Sequence, residues 1–377
     1  MASACRVVIT AVGAATSLGG AITAAAGFRA GLSRPAALDE WKVLDAESGD
    51  SVPVNAHAVE AVAGFHNPGR LAFLAALGLS DIRRSLSEPL SRIQLVLGVP
   101  DFVDRFLAME ELSEEDRRDA EQKFATDARH IALQATVHAG LGFRPEEVHV
   151  LAISAAGFSS ALGFARELLE ERSCDRVVVG AVDSLIDADL LEVLHDADRL
   201  KTPEVPTGTT PGEASAFLCL ERDEADALAS PTILARLGAI GSGQTQDHRT
   251  SDHPPSGAAW AAAGLAALGS AGGQPLLLVQ HNGESHSAQE WGQALVHLQQ
   301  SHAAMRFAVS WYPGVAFGDV GTAFSPLAMV LACRAWARRH APSSTAMVMA
   351  GSDVGLRAAI RLDAPPAGAI GAQCPRL

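Results

Sequence analysis

A short turn of small residues is the first place in this sequence where catalysis could take place. The segment AISAAGFSS, residues 152–160, lies between an apolar run typical of a strand, VHVLAI, and a stretch typical of a helix, SSALGFARELLEERS. The start of a helix offers unpaired backbone N–H groups and a positive dipole end, which favour a thiolate or an oxyanion. The turn holds Ser154 before its glycine and no cysteine, so a serine is the nucleophile it offers.

Two histidines in the segment QHNGESH, His281 and His286, are the candidate bases for that serine. A serine becomes an acyl nucleophile when a base lies within about 3 Å of its hydroxyl. With His281 or His286 in that role, the sequence admits an acyltransferase that uses Ser154. The alternative is that Ser154 is a small residue in a close-packed turn and that His286 faces solvent.

Potential metal ligands occur together in DHRTSDH, which contains Asp247, His248, Asp252 and His253. The segment is flanked by Pro and Ser and lacks the i, i+4 spacing of ligands on a helix, so it indicates a solvated loop rather than a zinc site. The cysteines are odd in number and lack C-x-x-C spacing; they are Cys5, Cys174, Cys219, Cys333 and Cys374. We therefore expect no metal, no other cofactor and no disulfide framework, as in a cytoplasmic protein.

The composition favours a compact α/β protein. The chain has 377 residues, of which 48% are hydrophobic and only 19% charged, with abundant Ala and Gly for close helix–sheet packing. The formal net charge of −14, from 29 basic and 43 acidic residues, argues against a nucleic-acid surface. An acidic carrier protein would need a local basic patch to bind here.

Continuous apolar runs alternate with Ala- and Leu-rich helical stretches along the chain, which predicts sheets covered on both faces. The uncharged segment 7–28 is too rich in Ala, Gly, Thr and Ser for a membrane span or signal peptide and is better explained as strand, turn and helix. A polar segment ending in proline, 222–231, predicts a connection between two similar halves, 1–225 and 226–377. The charged segment 104–124 predicts a solvated helical insertion in the first half. Its acidic residues form either a solvent-exposed helix face or a contact with a partner protein.

Several of these segments, in this order, resemble the β-ketoacyl synthase branch of the thiolase-like fold. RVVITAVGAATSLG resembles its first strand and turn, and SAAGFSSALGFARELLEERSCDRVVVGAVDSL its nucleophile turn, buried helix and next strand. PGEASAFLCLE resembles the end of its first half, and GSDVGLRAAIRL its C-terminal glycine-rich turn and last strand. The histidine loops correspond to LLLVQHNGESHSAQEWGQAL and SWYPGVAFGDVGTAFSPLAMVLACRA. The resemblance implies a five-layered α-β-α-β-α sandwich made of two similar halves.

The chemistry of that family requires a cysteine, two histidines, a lysine and an oxyanion hole of backbone N–H groups. Carried over by position, the cysteine falls on Ser154 or on Ala155, depending on which glycine sets the alignment. The first histidine falls on Asn282, and a shift to His281 would lose the glycine of the motif. The second histidine becomes Val315 and the lysine becomes Ser310. The resemblance therefore implies the frame of the fold without an intact catalytic residue.

Asp353 stands where a phenylalanine usually gates the acyl chain, because the expected Gly-Phe-Gly-Gly pattern is replaced by SDVG. Some non-condensing members of the family resemble decarboxylases that carry glutamine instead of cysteine. Those members keep the histidines that bind the malonyl group, and both positions are lost here, so decarboxylation is disfavoured.

Three functions remain. The first is a chain-length-factor-like subunit that pairs with an active ketosynthase in polyketide or fatty-acid-like biosynthesis and shapes its acyl tunnel. The second is the Ser154 acyltransferase, and the third is a homodimeric scaffold without acyl chemistry. The first and third imply a dimer in which the strand VHVLAI pairs across the interface, and an acyl carrier protein is a further partner to test.

Overall fold

The computed structural model describes residues 6–87, 90, 92–101, 105, 113–223, 232–249, 251, 253–269 and 273–365. Within these ranges, ten strands form one sheet and two more form a separate hairpin. In chain order the strands are β1 (Val7–Thr16), β2 (Ala36–Leu44), β3 (Ser51–Ala56), β4 (Ile93–Pro100), β5 (Val148–Ile153), β6 (Arg176–Ser184), β7 (Glu213–Arg222), β8 (Ala235–Gln244), β9 (Leu276–Val279), β10 (Val309–Trp311), β11 (Thr345–Gly351) and β12 (Leu356–Asp363). β2 and β3 make up the hairpin.

The helices in the same ranges are α1 (Ala21–Arg29), α2 (Asn67–Arg83), α3 (Glu114–His138), α4 (Phe158–Glu170), α5 (Ala188–Asp196), α6 (Ala258–Leu268), α7 (Ser285–Ser301), α8 (Gly314–Phe317) and α9 (Phe324–Ala337). No helix among them is both long enough and apolar enough to cross a membrane.

The large sheet has the same strand arrangement on both sides of its centre. Its order is β10-β9-β11-β12-β8-β1-β7-β6-β4-β5, so β5-β4-β6-β7-β1 on one side matches β10-β9-β11-β12-β8 on the other. The pairing directions match as well, with two antiparallel pairs next to the centre and two parallel pairs outside them on each side. Only a short ladder, Val7–Ile9 with residues 235–237, joins β1 to β8. We propose that β1–β7 and β8–β12 are the two halves; the expected boundary near residue 225 lies outside the described residues.

Side chains alternate between two buried faces, which explains why the strands are apolar without interruption. In β6, Val177 and Val179 enter a central core with α4 and α9, whereas Val178 faces an outer core with α2 and α3. In β9, Leu278 joins the central core and Leu277 an outer core with α6 and α7. Helices thus cover both faces of both half-sheets, which gives the predicted five-layered α-β-α-β-α sandwich.

Residues 114–124 of the charged segment form the start of α3, whose first turn is acidic as a helix N-terminus prefers. Residues 104 and 106–112 of that segment lie outside the described residues. The Ser113 hydroxyl caps it by accepting the Asp116 amide at 3.2 Å. The buried residues of α3 lie in its second part, where Ile131 and Ala135 pack into the outer core.

Two local features differ from the predicted elements. The hairpin of β2 and β3 was not predicted; it packs Val43 and Val54 onto Leu190 and Leu194 of α5. In RFAVSW, residues 306–311, which is one of the apolar runs that predict strands, only Val309–Trp311 is extended, because a 3-10 helix spans Ala303–Phe307.

Candidate functional site

The turn between β5 and α4 is held in place by two hydroxyl groups from the second half of the sequence. Thr322 Oγ1 donates to the carbonyl of Ile153 at 3.0 Å, and Ser325 Oγ donates to the carbonyl of Ala155 at 2.6 Å. Both hydroxyl-bearing residues are buried, Ser325 completely. The turn is therefore a rigid feature of the central core.

Ser154 has a structural contact of its own within this turn. Its Oγ accepts the backbone N–H of Gly157 at 3.1 Å, and its carbonyl accepts the N–H of Phe158 at 3.2 Å, so it supports the start of α4. The residue is 9% exposed and Ala155 is 3% exposed. Of the two, only Ser154 carries a nucleophilic atom.

A cavity of about 140 Å³ opens beside the turn and is lined by Ser154 and Ala155. Its lining is unusually rich in charged side chains for a position inside an apolar core. The charged residues that line it are Asp101, Arg105, Asp183, Arg199, Arg249, Glu290, Asp319, Asp353 and Arg357. Glu284 lies behind this lining and pairs with Arg199 and Arg249.

Arg199 is the centre of an ion-pair network at this cavity. Its Nε and Nη2 donate to the two carboxylate oxygens of Glu284 at 3.0 and 3.2 Å, and its Nη1 donates to Asp353 Oδ2 at 2.8 Å. Arg249 Nη2 lies 2.8 Å from the same Glu284 carboxylate. Burial lowers the pKa of Arg199, but the charges of Asp353 and Glu284 outweigh it and raise that pKa above its ordinary value. Arg199 is therefore held in its charged form.

Asn282 extends this network to Asp319. Its side-chain nitrogen donates to Glu284 Oε2 at 2.5 Å and to Asp319 Oδ2 at 3.2 Å, while its oxygen accepts the Glu284 N–H at 3.2 Å. Burial raises the pKa of the Asp319 carboxyl, although the Gly321 N–H and Asn282 oppose it. At the position of the first family histidine, the amide thus binds two carboxylates and offers no proton-accepting nitrogen.

Two further ion pairs complete the lining. Asp183 accepts the Thr322 N–H at 2.9 Å and the Ser184 N–H at 2.7 Å, and it also pairs with Arg105. Arg357 binds Glu290 through two bonds of 2.7 and 3.0 Å. Its guanidinium also lies 5.8 Å from the ring centroid of Trp260.

His286 is the candidate base that shares a cavity with Ser154. Its Nε2 is buried and has no hydrogen-bond partner among the described residues. Burial lowers its pKa, with a partly opposing effect of Glu290, so the ring is held towards its neutral form. His286 is half-buried and lines this cavity, so it is partly withdrawn from solvent.

His281 lies instead on a separate groove of about 990 Å³ beneath the β2–β3 hairpin. Its Nδ1 accepts the Gly283 N–H at 3.1 Å, and its ring meets the Tyr312 ring edge-on at 5.9 Å. Val315, at the position of the second family histidine, lines the same groove and is 71% exposed. Of the two proposed bases, therefore, only His286 lines the same cavity as Ser154.

The remaining sequence candidates lie apart from the cavity or are unreactive. Ser310, at the lysine position, sits in β10 paired in register with Leu277. Burial raises the pKa of Cys219 and of Cys333 to about 12, so these thiols are not nucleophiles at neutral pH. In the described part of the chain no three His, Cys, Asp or Glu residues are grouped to hold a metal; Asp252 lies outside it.

Motif spacing pointed to Asn282 and Asp353 but not to their charged partners. Arg199 and Arg249 lie outside the family segments, whereas Glu284 lies within QHNGESH beside the two histidines. The one available signal was the aspartate at 353, since a partly buried carboxylate is stabilised by a nearby cation.

Solved structures of ketosynthases share this fold. One is a type II polyketide synthase ketosynthase bound to the hexaketide and in complex with its acyl-carrier protein; the TM-score is 0.74 at 15% identity, over 96% of this chain and 100% of that one. The ishigamide ketosynthase/chain length factor gives 0.70 at 18% identity, over 96% and 100%. The oxazolomycin ketosynthase domain from Streptomyces albus JA3453 gives 0.71 at 13% identity, over 99% and 76%. No protein-family profile and no curated protein matches the sequence.

Proposed function

Since the chain has the thiolase-type fold of ketosynthases, we propose that it is a chain-length-factor-like subunit without condensing activity. It pairs with an active ketosynthase in polyketide or fatty-acid-like biosynthesis. The observation that carries this proposal is the Arg199–Glu284–Asp353 network, which stands beside the turn where condensation would need a thiol and two imidazoles.

The charges of the cavity argue against acyl chemistry there. An apolar acyl chain that entered past Asp353 would have to displace or bury ion pairs, and an unpaired buried charge costs several kcal/mol (about 3–5). Ala155 and Val315 cannot ionise or move a proton. A subunit of this kind contributes by shape and pairing and needs no nucleophile.

The edge of the sheet supports a pairing function. In the part of the chain that the structure describes, β5 is the last strand and pairs only with β4. Val148 to Leu151 of this strand are half-buried, which leaves a row of backbone donors and acceptors at the edge. Such an edge favours pairing with another chain, and a stable interface of this type buries on the order of 2,000 Å².

Co-expression with candidate ketosynthases tests the proposal. The expected result is a stable 1:1 complex by light scattering, and a β5 edge variant, His149→Pro, should lose the complex. A matched variant in α3, His130→Gln, should keep it. A homodimer that ignores every ketosynthase would favour the scaffold instead, and a stable monomer at micromolar concentration would contradict both. Addition of an acyl carrier protein to the complex tests that further partner.

A second candidate function is the acyltransferase, favoured by the buried unpartnered Nε2 of His286 in the cavity of Ser154. Its test is an electrophilic acyl thioester followed by intact-protein mass spectrometry. We expect no adduct on Ser154, because its Oγ is engaged by Gly157 and lacks a bonded base. An adduct abolished by Ser154→Ala and weakened by His286→Ala would replace the leading proposal; an adduct on Cys174 would be nonspecific thiol chemistry.

A further inference from the structure

A positively charged groove lies between α1 and α9. Its volume of about 440 Å³ falls within the range of about 300–1,000 Å³ that is typical of small-molecule sites. Four basic and four apolar residues line it: Arg29, Arg334, Arg338, His340, Ile22, Ala25, Ala26 and Ala30. Among the described residues of this lining none is acidic, although the whole chain carries a net charge of −14.

Two nitrogen atoms of the groove are buried and have no hydrogen-bond partner among the described residues. They are Nε of Arg334 and Nδ1 of His340. Buried polar nitrogens of this kind normally bind protein, water or a ligand, because leaving them unpaired is costly. The groove therefore offers hydrogen bonds that the protein itself does not use.

The basic groups also repel one another. Burial lowers the pKa of Arg334, and the charge of Arg338 lowers it further. Burial lowers the pKa of His340 in the same way, and Arg29 adds to that effect. The carboxylate that favours charged Arg334 is Asp81, but its Oδ2 already accepts the N–H groups of two residues, at 3.0 Å and 2.9 Å. An added anion would relieve this repulsion.

Helix dipoles do not account for so much positive charge. Arg29 is in the last turn of α1 and Arg334 in the last turn of α9, where cations are favoured. Each helix end carries roughly −0.5 elementary charge, so the two ends together balance about one of the two charges of Arg29 and Arg334. The excess points to an anionic ligand.

We propose that this groove binds a phosphate-bearing small molecule. Arg334, Arg338 and Arg29 hold the phosphate, since guanidinium groups match phosphate oxygens through paired hydrogen bonds. The organic part lies along Ile22 and the alanines of α1. His340 is fixed as a wall by stacking on Trp311, with ring centroids 6.3 Å apart and an angle of 22°.

Isothermal titration calorimetry with phenyl phosphate tests this site on the full chain. We expect saturable binding, weakened at least about tenfold by Arg334→Gln, because a charge-assisted hydrogen bond is lost. Arg29→Gln should weaken binding as well. Because Arg29 is exposed, this variant should fold, and it provides the test if Arg334→Gln does not fold. The exposed Arg129 of α3 provides the matched control, and Arg129→Gln should bind like the unchanged chain.

Inorganic phosphate provides the second arm of the experiment. Weaker binding than phenyl phosphate supports a ligand with an organic part against Ile22, whereas equal binding overturns that part of the proposal. Absence of saturable binding of phenyl phosphate overturns it entirely. An equal loss in Arg129→Gln also overturns it, because binding would then be general attraction of anions to arginine.

Discussion

Arg199 donates from Nη1 to Oδ2 of Asp353 at 2.8 Å, although the two residues are 154 positions apart in the sequence. The resemblance to ketosynthases implies that Asp353 stands where a phenylalanine usually gates the acyl chain. The carboxylate of Asp353 therefore has a cationic partner, Arg199, from the first part of the chain. Asp353 is thus part of the ion-pair network around Arg199.

Removal of Arg199 should strongly destabilise the protein. Arg199→Met leaves Glu284 and Asp353 without their shared partner, and breaking a buried ion pair costs about 3–5 kcal/mol. The measurement is the free energy of unfolding in urea. Arg92→Met is the control, because Arg92 and Asp175 form an exposed pair whose loss should cost at most about 1 kcal/mol. Equal effects of the two variants would contradict the proposed role of the network.

Two glycine substitutions should have opposite signs. A Cβ at Gly180 would lie 2.2 Å from Phe217 Cδ1 and 2.3 Å from the carbonyl oxygen of Ala216, so Gly180→Ala should destabilise by about 1–3 kcal/mol or more. At Gly163, within α4, a Cβ meets nothing within 4 Å, and Gly163→Ala should stabilise by about 0.5–1 kcal/mol. Thermal melts of both variants check this; a stabilised Gly180→Ala would refute the packing described for β6 and β7.

Ser325→Ala should destabilise the nucleophile-like turn. The change leaves the buried carbonyl of Ala155 without its 2.6 Å hydrogen bond, at a cost of about 1–3 kcal/mol. Hydrogen exchange should become faster at the N–H of Gly157 and Phe158, and the measurement is native-state exchange by mass spectrometry. The exposed Ser301 at the end of α7 offers a control, Ser301→Ala, which should leave that exchange unchanged.

Stability should fall as the pH drops below about 6.5, because burial lowers the pKa of His57 in the folded state. The unfolded chain binds the proton first, so the stabilising contribution is complete above the unfolded pKa and is lost as the pH falls towards the folded one. His57→Gln should therefore reduce the dependence of unfolding free energy on pH between 7.5 and 5.5. His130→Gln, an exposed position on α3, should keep the slope of the unchanged chain.

Much of the fold was predictable because the strands that matter are buried on both faces. A strand such as RVVVGAV has no polar face, and nothing but a covered sheet accommodates it. The β2–β3 hairpin escaped prediction because AALDEWKVL mixes charges with apolar residues and one of its few buried side chains, Val43, is covered by the distant helix α5.

Motif spacing names Asn282 and Asp353 as positions of interest, but it does not predict the contacts that they make. Glu284 is 85 positions from Arg199 in sequence, and no local pattern joins them. Spacing likewise could not separate His281 from His286. The two lie five positions apart, yet they line different cavities. His281 lies in the loop before α7, whereas His286 lies in the first turn of α7.

The pairing of β1 with β7 determines when β1 can fold during synthesis. Val7 of β1 finds its partner Arg222 only after more than half of the chain has left the ribosome. At about 5–20 residues per second, the first strand waits on the order of 10–40 s with an apolar, unpaired edge. β8, which begins at Ala235, reaches its other edge shortly afterwards. The nascent first half is thus a substrate for chaperones until β7 emerges, and slowing translation before residue 213 should increase its aggregation.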